Sequence, residues 1–558
     1  MRRLFALTFA LLLAVTGVSA CAEIPRSGSV NEGVAAGMSG NEDVQFLPAG
    51  PAQDASPEDI VRGFVDAATS PADDWGIART FLSASFRSQW QPSHHVVIDR
   101  GNRIVSSVGD DTYQLTVSEL ANVDEWGLYA PIVEHSTTLG FSLVQERGQW
   151  RIALAPQGII LDAGLFPQVF SESQLYFYDS NFQRLVPDNR WFPARSSTST
   201  RVVKALLQGP ARWLGLSGGV VSAFPAGALL VADSVPLEGD TAVVNFDVKS
   251  LAANDVTLQR MLTQLGASLS LVPKVSRVRM LLSGARQLEA SVPSSDSLLG
   301  GSYLTNPTVL TGQTFGALGA PASQSRSALA QKVVELRPAT LSMSGTSNEV
   351  AFLNAGRASL IQTNGVVRTL DKRAGLVAPV IDGYGYVWSV PERAPTDVRI
   401  FPSTSTDPRI AVPWTRATQL AGIAISPEGT RVAVSYRAGD KSEMCVAAIR
   451  RNSANAPEEI GPCLLIPVAG KHVGPVAWID ASRVGVVTYS STNSTISTVR
   501  LGGMSVSSQV NAHVTTMTGA GSALVARVLT AGGDVLQQVS SLRWYLVATG
   551  VDALVNVQ

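Results

Sequence analysis

Apolar positions follow three successive kinds of pattern along the chain. Ile60, Val61, Phe64, Val65 and Ala68 recur at helical spacing, marking one face of an amphipathic helix. Ser56-Pro57-Glu58-Asp59 marks its start. Ser56 suits the N-cap, Pro57 the first helical position, and Asp59 is an acid at the capping-box position. Ser70-Pro71-Ala72-Asp73 repeats the signal, and Trp75, Ala78, Phe81 and Leu82 predict the face of a second helix. The period then becomes two. Asp110-Asp111 predicts a hairpin turn before Tyr113, Leu115 and Val117. Glu146-Arg147-Gly148-Gln149 predicts another, between strands at 141–144 and 150–154. Residues 56–157 therefore read as one α+β domain.

Helices first, then an antiparallel sheet closing on this hairpin, resembles an NTF2-like domain. Such folds host both enzymes and inert modules, so the resemblance assigns no activity. The next pattern runs over 170–290. A short strand ends at Asp179. Arg184-Leu185-Val186-Pro187 and Trp191-Phe192-Pro193 follow, and then a helix over 202–207 is stopped by Gly209-Pro210. After Phe224-Pro225-Ala226-Gly227 comes an alternating strand at 242–247. Leu258, Met261, Leu262, Leu265 and Leu269 form a helical stripe before a last strand at 275–280. In this order the set is similar to the GerMN domain of sporulation and germination proteins, a second α+β fold.

The third pattern is a repeat. Strand, turn and strand recur around Gly345, Gly383, Gly429, Ala481 and Gly521, at a spacing near that of β-propeller blades. The hairpin at Ser426-Pro427-Glu428-Gly429 resembles those of WD40-like and TolB-like propellers. Residues 341–558 are thus expected to be an all-β propeller, with a β-sandwich as the alternative. Residues 291–340 are either a linker or first propeller strands.

The first twenty residues form an address label. Arg2 and Arg3 precede an apolar run from Leu4 to Val15, too short to span a bilayer as a mature helix. Val18-Ser19-Ala20-Cys21 then resembles a bacterial lipobox, in which the Cys21 thiol is lipidated before cleavage. An ordinary signal peptide with a chance cysteine is the alternative. Residues 21–55, rich in Gly, Ala, Ser, Pro and Asn, read as a lipidated flexible tether with an r.m.s. span of roughly 30 Å.

Composition narrows the chemistry. The 558 residues are 45% hydrophobic and 16% charged, which excludes a disordered chain. Lys+Arg 43 against Asp+Glu 44 leaves no basic surplus for nucleic acid. Five histidines and three cysteines are poor material for a metal cluster, and no metal or cofactor is expected. His94 and His95 are adjacent, so on a strand they point to opposite faces and do not converge on one ion; His135 is the other histidine of that domain. Gly215-Leu216-Ser217-Gly218-Gly219 satisfies the G-x-S-x-G pattern but follows a helix rather than a strand, so a flexible loop is expected there and not a nucleophile elbow. Cys445 and Cys463 remain after Cys21, either as a disulfide or as two buried thiols. No catalytic residue is expected.

Lipobox, tether, NTF2-like domain, GerMN domain and propeller, in that order, resemble the LpqB lipoproteins of actinobacteria over nearly the whole chain. The resemblance implies a cell-membrane protein, lipid-anchored on the extracytoplasmic face. Its implied partner is the ectodomain of a sensor histidine kinase, MtrB-like, of the MtrAB system that affects cell-wall homeostasis and division. The alternative is an envelope module that binds peptidoglycan or another ligand without signalling. For that reading, Trp388, Trp414 and Trp478 are the aromatic residues considered for stacking on sugars.

Overall fold

The computed structural model describes residues 48–194, 198–247, 249, 253–284, 286–293, 307–319, 326–401, 409–519, 526–540 and 543–557. The expected signal peptide, Cys21, most of the tether and the turn at Gly521 lie outside the described residues. The end of the expected tether does not stand free. Asp54 and Gln149 exchange two hydrogen bonds of 2.8 and 2.9 Å, and Ala55 packs on the N-terminal core.

Helix Pro57–Ala67 is capped as its sequence predicts. Ser56 Oγ accepts from the Asp59 amide at 3.2 Å and donates to Asp59 Oδ2 at 2.6 Å. Its buried face is Ile60, Val61, Phe64 and Val65. The second helix is shorter than the pattern suggests, only Gly76–Thr80. Asp73, Asp74 and Trp75 precede it with φ of 49°, 53° and 57°. A helix cannot propagate backwards through three left-handed residues. Burial decides the matter: Trp75 is 2% exposed and its indole N–H donates to Ala68 O at 3.0 Å. The sheet runs Gln149–Leu154, Tyr129–Glu146, Thr112–Asp124, His95–Ser107, Ile159–Asp162, antiparallel except for the last pair. Arg147 and Gly148 have φ of 54° and 76°, as the two central residues of a type I′ hairpin turn require.

In the middle domain, strand Phe170–Asp179 pairs antiparallel with Leu185–Pro193. Strands Thr241–Phe246 and Arg277–Leu282 are parallel, which demands a crossover. Helix Asp255–Leu269 supplies it, with Asn254 Oδ1 accepting from the Thr257 amide at 2.9 Å. The predicted stripe from Leu258 to Leu269 is buried.

The C-terminal region is a ring of small antiparallel sheets. Their innermost strands are Leu341–Met343, Val380–Ile381, Gln419–Ile425, His472–Trp478, Val514–Thr518 and Ala553–Val557, each lying against the next. The last returns to the first, since Ala553–Val557 runs parallel to Leu341–Met343. Among the described residues the propeller therefore has six blades. The sixth takes its inner strand from the C-terminus and its other two, Thr308–Thr311 and Thr314–Ala317, from the stretch left open as linker or strand.

One device repeats in four blades. A polar side chain one or two residues after the inner strand accepts from backbone amides in or just beyond the turn that follows. Ser344 Oγ takes Thr346 N and Ser347 N, and Asp382 Oδ1 takes Tyr384 N and Tyr386 N. Ser426 Oγ takes Arg431 N, and Asp480 Oδ1 takes Ser482 N. Ser and Asp occupy these positions because a short acceptor there replaces a backbone partner.

Candidate functional site

The three domains meet along strand Leu185–Pro193, which is buried over nearly its whole length although Asp188-Asn189-Arg190 stands in its middle. Each of these polar side chains is used. Asp188 and Arg190 form a buried ion pair at 2.7 Å. Asp188 Oδ2 also accepts from the Ala211 amide at 2.8 Å, and Arg190 Nη1 donates to Trp126 O of the N-terminal domain at 3.2 Å. On the propeller side, Asn189 Nδ2 donates to Leu501 O at 2.7 Å and Trp191 Nε1 to Gly502 O at 2.8 Å. Glu172 adds an ion pair to Arg500. A buried polar group left unpaired is costly, so these bonds fix how the domains sit on one another.

A second seam joins the turn after strand Phe170–Asp179 to the propeller. Ser180 Oγ donates to Arg451 O at 2.9 Å, and Asn181 Nδ2 to Asn452 O at 2.8 Å. Tyr384 lies between the guanidinium groups of Arg184 and Arg451, at 4.8 and 4.6 Å from its ring centre. Burial pushes its phenol up from the ordinary value. Arg451 is in turn bound to Asp382 Oδ2 at 2.6 Å, where both are buried. Nearby, Arg431 reaches Glu428 at 2.7 Å and covers the Trp478 ring at 4.5 Å. Burial alone would push the Glu428 carboxyl up, but Arg431 and hydrogen bonds from its neighbours hold it below the ordinary carboxylate value.

Between the domains lies a cavity of about 380 Å³ with largely apolar walls, to which all three contribute. Tyr129 comes from the first, Trp213 from the second, and Cys463, Leu464 and Leu501 from the third. Cys463 is bonded to Cys445, with Cα atoms 5.3 Å apart. Strand Leu464–Pro467 pairs with Lys441–Arg451, and Pro457–Ile460 pairs with the same long strand further along.

The structure separates the other sequence candidates. His94 is exposed, 3.9 Å from Glu125, whereas His95 is half-buried and faces inward. Among the described residues, no group of three His, Cys, Asp or Glu side chains is arranged to hold a metal. Ser217 lies, as expected, in a loop between helix Arg212–Gly215 and strand Val220–Val221, but that loop is packed against the propeller. The Ser217 Oγ is buried against Gly461 of the propeller, and a Cβ on Gly219 would stand 3.0 Å from Ala448. The small residues of the G-x-S-x-G segment serve close domain packing. Trp388, Trp414 and Trp478 are 0%, 2% and 4% exposed, with their indole N–H groups bonded internally, so none is available to stack on a sugar. Sequence reasoning missed Asp188, Asn189 and Arg190. The available signal was three polar residues in succession between Val186-Pro187 and Trp191-Phe192.

Family models match the three regions in the same order. Residues 50–167 match the LpqB lipoprotein N-terminal domain. Residues 174–288 match the sporulation and spore germination domain, and 322–555 the LpqB β-propeller domain. The chain belongs to the LpqB lipoprotein family. Among its relatives is Lipoprotein LpqB of Cutibacterium acnes, 22% identical, with 96% of each chain covered. That of Streptomyces avermitilis is 26% identical over 84% of each chain, and that of Bifidobacterium longum 25% identical over 79% of this chain and 78% of the relative. The family is one of lipoproteins by name, and among the described residues no helix is long and apolar enough to cross a membrane.

Proposed function

We propose that this chain is an extracytoplasmic regulator, held to the membrane by lipid on Cys21, that binds the ectodomain of an MtrB-like sensor histidine kinase and so modulates MtrAB signalling. It acts by contact rather than by catalysis. The partner is the one that the resemblance to LpqB lipoproteins implies. The observation that carries the contact mechanism is the joining of three domains along strand Leu185–Pro193. Coupling between distant sites needs packed elements that move together, and bonds from one strand into both neighbouring domains supply such a body.

The test is kinase phosphotransfer in membranes containing the full-length kinase. Adding the lipid-free chain from residue 22 onward changes the rate of phosphate transfer to the response regulator. An unchanged rate at saturating protein, with kinase activity itself intact, would sink the regulatory role.

A further inference from the structure

The N-terminal domain holds a second cavity, of about 160 Å³, away from the domain junction. One wall is the inner face of helix Pro57–Ala67 and the residue after it, with Phe64, Val65 and Ala68. The opposite wall comes from three strands of the sheet and includes Val97, Leu139 and Ile160. This apolar body ends in a polar head made of Glu119, His95 and Thr137.

Glu119 lies in the middle of strand Thr112–Asp124 with its side chain only 10% exposed. A carboxylate so placed needs partners. Its Oε2 has them: Thr137 Oγ1 donates at 2.7 Å, and His135 Nε2, from the residue directly across the strand pair on the same face, stands 3.8 Å away. No protein donor among the described residues lies within hydrogen-bond distance of Oε1. His95 lines the same polar head, and among the described residues the hydrogen bond to Glu119 comes from Thr137 rather than from His95. The other polar side chain of the lining, Gln157, already accepts from the Gln91 amide at 2.6 Å. No Lys or Arg lines the cavity.

Its frame is rigid. At Gly158, φ is 95° and a Cβ would stand 2.0 Å from His95 O, so only glycine fits. Trp90 Nε1 donates to Gly158 O at 3.2 Å, and the Trp90 and Phe64 rings meet edge to face at 5.0 Å. A preformed apolar cavity with a few convergent polar groups is the usual form of a small-molecule site.

We propose that this cavity binds a small organic ammonium ion, its apolar body against Phe64, Val97 and Leu139 and its N–H groups on Glu119 Oε1. The volume is close to that of an apolar cavity known to hold benzene, which limits the ligand to about eight heavy atoms. The inference is independent of the kinase partner.

Benzylamine, toluene and benzoate, equal in shape and differing in charge, are titrated into the lipid-free chain at neutral pH and followed by ligand-observed NMR. Benzylamine binds saturably, with a dissociation constant of roughly a millimolar or below. Toluene binds at least tenfold more weakly, and benzoate does not bind. Glu119→Gln reduces benzylamine affinity about tenfold, with an unchanged near-UV spectrum showing that it is folded. The unmodified protein decides the question even where that variant fails to fold. No saturable benzylamine binding up to about 10 mM overturns the site, and benzoate or toluene binding as tightly as the amine overturns the role of Glu119.

Discussion

Arg431 shows how much a single side chain holds in place. It is fully buried, paired with Glu428, stacked on Trp478, and bonded to Ala481 O of the next blade at 2.6 Å. Arg431→Met keeps much of the volume and leaves Glu428 buried without its counter-charge. Removing one partner of such a pair costs about 3–5 kcal/mol, read as a lower urea midpoint at neutral pH. The pH dependence has a definite sign. The Glu428 carboxyl of the native protein is depressed, so its contribution is present above the ordinary carboxylate range and is lost as pH falls through the depressed value. In the variant that carboxyl is raised, and protonation relieves it. The stability gap between the two proteins therefore narrows from pH 7 towards pH 4. A gap independent of pH would show that Glu428 is not the group left uncompensated.

Local elements were legible wherever their pattern was local. The cap at Ser56, the turn at Arg147-Gly148 and the stripe from Leu258 to Leu269 each depend on residues within a few positions of one another. The helix after Ser70 was overestimated because burial of Trp75 outweighed a start signal. The sixth blade stayed open between linker and first strands, since Leu310 and Asp552 come together only across most of the domain. The domain seams were equally hidden. Asp188, Asn189 and Arg190 look like a break in a strand until Leu501, Trp126 and Ala211 are brought to them. The packing of the G-x-S-x-G loop was hidden for the same reason, because what Gly219 approaches lies in the propeller. Gly127 offers a test at this scale. It has φ of 80°, and a Cβ there would stand 2.7 Å from Trp191 O. Gly127→Ala costs about 1–3 kcal/mol and loosens the N-terminal domain from strand Leu185–Pro193. Limited proteolysis should then cut between residues 155 and 170 before the propeller is touched. An unchanged digestion pattern and melting temperature would mean that this contact does not hold the domains together.

At the scale of the whole molecule, a lipid anchor and a jointed body divide the work. Composition gives no basic surplus for anionic lipid, and on the proposed reading attachment falls to acyl chains, each buried CH₂ adding about 0.8 kcal/mol. Cys21→Ala is expected to abolish incorporation of labelled fatty acid and to release the protein from the membrane fraction; a variant still sedimenting with membranes would show a second attachment. The three domains beyond the anchor share one set of buried bonds, which suits a protein that reports by touching another. The most direct measurement is isothermal titration of the lipid-free chain into the purified kinase ectodomain. A saturable one-to-one complex is expected, with a dissociation constant at or below tens of micromolar, roughly −6 to −7 kcal/mol. No heat of binding and no co-elution at about 100 µM of each protein would contradict it.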